Sequence, residues 1–276
     1  MITIATLLLL ASPLTSAAAS LELTSYPMTA AVSVQDDEEK KPDKREEIKL
    51  ALKEFKDHIG ARGKEDPQAI AIIDTLLQEF PESGPKDRKA IVKGLSGALK
   101  VTRKATKEGV VDNKIYIAAA AALGRMGPES VKPLMSAMGH KNFAKDYVGK
   151  RAVILALGST KDEDGVGDLT DLLSHHEPQV QAAAAEALGN FSGADSKVRK
   201  EIFKEILNQI SQVKNALDVD PTDPIVRQRY DGIAGPMLRA LQDLSAHEES
   251  DPMAYRSWWN DNKKRDWDEL EKGKDA

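Results

Sequence analysis

The 276-residue chain has no cysteine, which excludes a disulfide framework, a thiolate nucleophile and any cysteine-based zinc site. Aromatic residues are sparse at 5%, and alternation of apolar and polar residues is rare, so little favours strands. Basic excess is missing as well: 39 Lys and Arg against 44 Asp and Glu leave a net charge of −5. A nucleic-acid binder needs a basic face to neutralise phosphates, so no nucleic-acid partner is expected. Apart from Ile2–Leu14, no uncharged stretch approaches the ~20 residues of a spanning helix, and no stable membrane span is expected.

Ile2–Leu14 is an apolar run followed by Thr15-Ser16-Ala17-Ala18-Ala19, the small-residue pattern of a signal-peptidase site. Residues 1–19 therefore read as a signal peptide cut after Ala19, which makes the protein exported, to the periplasm or outside the cell. No Lys or Arg precedes Lys40, so only the amino terminus supplies positive charge there. Residues 20–44 lack helical period and end in Asp36-Asp37-Glu38-Glu39-Lys40-Lys41-Pro42-Asp43-Lys44. They bury too little apolar surface to offset ordering entropy and read as a flexible charged leader.

What the chain does have is an Ala-rich phrase ending in Leu-Gly that occurs three times, at Ala118–Gly124, Ala152–Gly158 and Ala183–Gly189. The closing glycines lie 34 and 31 residues apart, a period that signals a stacked helical repeat. Aligned on Leu123, Leu157 and Leu188, the phrases keep alanine five places before the leucine (Ala118, Ala152, Ala183) and one before it (Ala122, Ala156, Ala187). Those two places share one helix face and make a shallow stripe that a neighbouring helix can approach. The glycine that follows reads as a helix C-terminus needing positive φ.

A second apolar run of helical period follows each glycine, so each unit reads as a helical hairpin. Upstream, Arg45–His58 is helical, and Ile70–Phe80 with Lys89–Leu99 forms a pair broken at Pro81 and Gly84-Pro85. Downstream, Ile225–Ile233 with Met237–Leu244 reads as another pair, broken at Gly235-Pro236. The phrase Val180-Gln181-Ala182-Ala183-Ala184-Ala185-Glu186-Ala187-Leu188-Gly189, with Pro178 before it, resembles the HEAT-like repeats, the group that includes the form named for phycobilisome lyases. Clear resemblance covers about Asn113–Ile210. It implies an all-α, right-handed α-α superhelix of about five hairpins over residues 45–247, with less typical outer units. It implies no particular ligand.

Two features stand outside the packing pattern. Arg88-Lys89, Lys93, Lys100, Arg103-Lys104 and Lys107 recur every three or four residues in part, so one helix could carry a basic stripe for an anionic ligand, unless it is a plain solvated face. All three tryptophans, Trp258, Trp259 and Trp267, fall in the tail of residues 248–276. They read as a cap over the last hairpin or as an exposed site for a glycan or peptide.

The search for chemistry gives no catalytic, cofactor or metal site. His175 and His176 are adjacent and point apart, unlike an i, i+4 ligand pair. Asp162-Glu163-Asp164-Gly165 resembles the start of a calcium loop, but the twelfth place is Leu173, so an N-cap cluster is the better account. The expected function is a non-enzymatic scaffold for a protein partner in the envelope or periplasm. The alternatives are a binder of envelope polysaccharide or anionic surface, using the tryptophans or the basic stripe, and a lyase-like or chaperone subunit.

Overall fold

The computed structural model describes residues 41–104, 107 and 110–272; the expected signal peptide and most of the leader lie outside the described residues. Among the described residues there is no strand. The helices are α1 (Glu46–Gly60), α2 (Asp66–Glu79), α3 (Pro85–Ala98), α4 (Lys114–Arg125), α5 (Val131–Met138) and α6 (Tyr147–Ser159). After them come α7 (Val166–Asp171), α8 (Pro178–Gly189), α9 (Ser196–Val219), α10 (Pro224–Ser245), α11 (Pro252–Asn262) and α12 (Trp267–Lys272). Helix starts follow local chemistry. Proline in the first turn opens α2, α3, α8, α10 and α11, where its missing N–H costs nothing. Asp146, Asp223 and Asp251 accept hydrogen bonds from the first-turn amides of α6, α10 and α11, as N-caps do.

The helices form an all-α solenoid of two rows. In one row α2, α4, α6, α8 and α10 pack in succession. In the other, α1 packs on α3, α3 on α5, α7 on α9 and α9 on α11. Across the rows the closest partners are α1 with α2, α3 with α4, α5 with α6, α7 with α8 and α9 with α10. There are thus five such pairs among the described residues. In these pairs each phrase helix (α4, α6, α8) sits against the helix before it in sequence, whereas the sequence groups it with the run after it. The pair expected from Ile225–Leu244 is instead the single helix α10, which runs through Pro236. Ile233, Met237, Ala240, Leu241 and Leu244 are all buried on one side of it. Burial on α8 and α9 outweighs the hydrogen bond that Pro236 removes.

The three phrases lie at the centre of the core. Leu123, Leu157 and Leu188 are fully buried, and Ala122, Ala156 and Ala187 nearly so. Ala183 is fully buried too, but Ala118 and Ala152 are only partly so. The closing glycines do not serve as left-handed exits. The chain turns left-handed three residues later in the first two units, at Gly127 (φ 71°) and Lys161 (φ 55°). Gly124, Gly158 and Gly189 instead sit inside their helices, against the next helix of the row. A Cβ on Gly124 would lie 2.8 Å from the Ala156 carbonyl oxygen, and one on Gly158 would lie 2.5 Å from that of Ala187. On Gly189 it would lie 3.5 Å from the Cα of Ala240. Glycine is required at Gly124 and Gly158 for close approach of two backbones, whereas at Gly189 the facing backbone is at ordinary contact distance; the local sequence does not distinguish this constraint from a cap.

Gly158→Ala is therefore expected to destabilise the fold by about 1–3 kcal/mol through overpacking. Gly167→Ala, on exposed α7 with nothing within 4 Å of the new Cβ, is expected to stabilise by up to ~1 kcal/mol. Chemical denaturation of the two variants separates the cases, and equal effects would contradict the contact.

Candidate functional site

The structure distributes the expected basic stripe over different elements. Lys89 and Lys93 are exposed on α3, but that helix ends at Ala98, and Lys100 and Lys104 lie exposed in the connection beyond it. The Lys100 and Val101 amides close the helix on the Gly97 and Ala98 carbonyls, and remote side chains hold the carbonyls just beyond it. Asn142 Nδ2 donates to the carbonyls of Leu99 (3.2 Å) and Val101 (2.8 Å), and Tyr116 OH donates to Val101 (2.6 Å). The stripe on one helix is thus corrected.

Arg103, counted in that stripe, is buried. Its guanidinium donates to both carboxylate oxygens of Asp66, at 2.7 and 3.2 Å, and to the Ile59 carbonyl at 3.3 Å. It joins the end of α1, the start of α2 and the connection after α3. This is a structural ion pair, and removing one partner would strand the other charge in the core.

The tryptophan tail folds over Phe203 of α9. Trp259 stacks on that ring at 5.4 Å, Trp267 meets it edge-on at 5.3 Å, and Tyr255 meets it edge-on at 5.9 Å. Trp258 lies parallel to His247 at 5.0 Å. Trp267 is only 1% exposed, and its Nε1 donates to the Asn262 carbonyl at 3.2 Å. Arg199, itself buried, reaches out from beneath that ring to an ion pair with Asp268. The cluster closes the core at the α9–α11 end. The roles of Phe203, Arg199 and His247 in this cluster escaped the sequence reading, since their partners lie 40 to 70 positions away or have no shared period with them.

His175 and His176 do not point apart as expected, because their rings stack on each other. His175 Nδ1 accepts from the Glu177 amide at 3.1 Å, and its ring stacks on His176 at 4.3 Å. Its Nε2 lies 3.4 Å from Lys150 Nζ. Burial first, and the Lys150 cation second, push the His175 imidazole below the ordinary histidine range. Asp162 accepts from the Asp164 amide at 2.9 Å, capping a short 3-10 turn. Among the described residues no three metal-type side chains come together, and no helix is long and apolar enough to cross a membrane.

One concave surface combines apolar lining with charge. Between α1 and α3 lies a groove of about 590 Å³ whose lining includes Leu52, Phe55 and Ile59 from α1 and Ala90, Gly94 and Gly97 from α3. Lys56 and Lys93 also line it, one from each helix. Of the cations selected from sequence, Lys93 alone is placed in this groove; the groove itself depends on two helices that the sequence does not bring together.

Residues 144–229 match the family model for HEAT repeats. No curated protein matches the chain.

Two measurements follow from this geometry. Trp267→Ala is expected to lose about 3–5 kcal/mol, the cost of emptying a buried aromatic site; an unchanged melting temperature would mean the tail is not a cap. For His175, the folded value lies below the unfolded one, so the unfolded chain binds more protons between them. Stability should therefore fall as pH drops through the ordinary histidine range, and His175→Gln should flatten that slope in denaturation curves taken across it.

Proposed function

We propose that this chain, whose residues 144–229 match the family model for HEAT repeats, is a non-enzymatic scaffold that holds a protein partner in the cell envelope or periplasm. HEAT repeats serve generally as protein-interaction scaffolds. The observation that carries the reading is how the repeat is used: Leu123, Leu157, Leu188 and the alanines before them are consumed by packing. Stacked repeats of this kind spend their regular positions on the core and leave the faces between them for recognition. The envelope setting is supported by the apolar run Ile2–Leu14 and the small residues Thr15–Ala19.

A glycan platform built on the tryptophans is not adopted, because Trp267 faces inward and the faces of Trp258 and Trp259 are each engaged by another ring. The test is affinity purification of the exported chain from an envelope fraction, with N-terminal sequencing of the recovered protein. One protein co-eluting in fixed stoichiometry and a chain beginning at Ser20 are expected. Recovery of the chain alone would sink the scaffold, and an intact Met1 would sink the export.

A further inference from the structure

The groove between α1 and α3 has three properties that together select an occupant. Its lining is apolar and, among the described residues, unfilled: Phe55 and Ile59 are buried at its base, while a Cβ on Gly60 or Gly97 would meet no described atom within 4 Å. Its lining positions run from Leu52 to Gly60 along α1, roughly 12 Å at the helical rise, or about two turns of a docked helix. Lys56 and Lys93 are exposed, line the groove from different helices, and form no ion pair among the described residues.

The placement of those two cations decides between ligands. A single-tailed anionic amphiphile carries its charge at one end, and would call for cations clustered at one end of the groove. Here the two cations come from opposite banks, Lys56 from α1 and Lys93 from α3 beside the Gly94–Leu52 contact, rather than from one end, which suits acidic residues on both flanks of an apolar stripe. Leucine-sized anchors at i, i+3, i+4 and i+7 of a helix would occupy the space beside Gly97, the common mode of helix-in-groove recognition. We propose that this groove docks an amphipathic helix of the partner protein, two turns long, with Asp or Glu bordering its apolar face. The proposal rests on the scaffold reading and gives that reading a surface and a partner chemistry.

The probe is a short fluorescein-labelled synthetic helix with leucines at those four positions and glutamates flanking them, titrated into the full chain and followed by anisotropy. Saturable binding is expected, at least about tenfold tighter than for the same peptide with lysines in place of glutamates. Gly97→Leu, which fills the groove, should weaken binding about tenfold, while Gly97→Ala should preserve it. The double variant Lys56→Glu, Lys93→Glu should reverse the preference between the two peptides, and this arm decides if Gly97→Leu fails to give a cooperative melt. Equal affinity for both peptides, or unchanged affinity in the filled groove of a folded variant, would overturn the proposal. So would saturable binding of decanoate or phosphatidylglycerol vesicles that Gly97→Leu abolishes while the acidic peptide does not bind. If the Gly97→Leu chain still co-purifies with the natural partner, the groove is wrong and the scaffold stands; if the unaltered chain has no partner, the scaffold itself falls.

Discussion

Backbone contact at two glycines, Gly124 and Gly158, sets the spacing of the stack. Gly124 of α4 lies against Ala156 of α6, Gly158 of α6 against Ala187 of α8, and Gly189 of α8 against Ala240 of α10. The order Ala-Leu-Gly makes this chain of contacts continuous. Residues two apart on a helix point about 200° apart, so Ala156 faces the helix behind while Gly158 faces the helix ahead. Leu157, between them, is turned toward the other row, where its side chain lies about 3.0 Å from the Cβ position of Gly165. Three consecutive residues thus address three neighbours, and a larger side chain at either small position would push two backbones apart. The packing is close because there is no side chain at the contact to give way.

Among the described residues the stack has two ends, and each is closed by a different device. At the α1 end, polar groups do the work: Asp87 accepts from the amides of Lys44 and Arg45, and Arg45 pairs with Glu79 at 2.8 Å. The buried Arg103–Asp66 pair fixes the first turn of α2 beside it. At the other end the closure is aromatic, with Phe203 as the ring on which Tyr255, Trp259 and Trp267 converge. Arg256 adds hydrogen bonds to Asn208 and Ser211 of α9, at 3.2 and 3.1 Å. Aromatic burial covers much apolar surface with few residues, which explains why a chain so poor in tryptophan keeps all three in its tail.

The helices and the buried leucines were legible in the sequence because periodicity is local. Whatever depended on a distant partner was not. Gly158 and Gly127 look alike from sequence, but one is held by the backbone of Ala187 and the other by a left-handed turn. Pro236 reads as a helix break, yet the faces of Ile233 and Met237 are pinned on both sides of it. Arg103 reads as one more surface cation until Asp66, 37 residues earlier, is placed beside it. The connection after α3 is held by Asn142, more than 40 residues later, whose side chain donates to the Leu99 and Val101 carbonyls.

The same residue that ties the stack together marks where it is incomplete. Inside the row of phrase helices, Gly124 and Gly158 are each filled by a facing backbone, so these positions are closed to any ligand. Between α1 and α3 the match is made only in part: a Cβ on Gly94 would strike Leu52 at 2.6 Å, while Gly97, one turn on, faces open space. One glycine brings the helices together and the next leaves a recess that no described residue fills. Recognition by a repeat protein requires a surface that its own packing has not consumed. In this chain such a surface arises where the Ala-Leu-Gly pattern gives way to α1 and α3, with Lys56 and Lys93 supplying the charge that the core positions exclude.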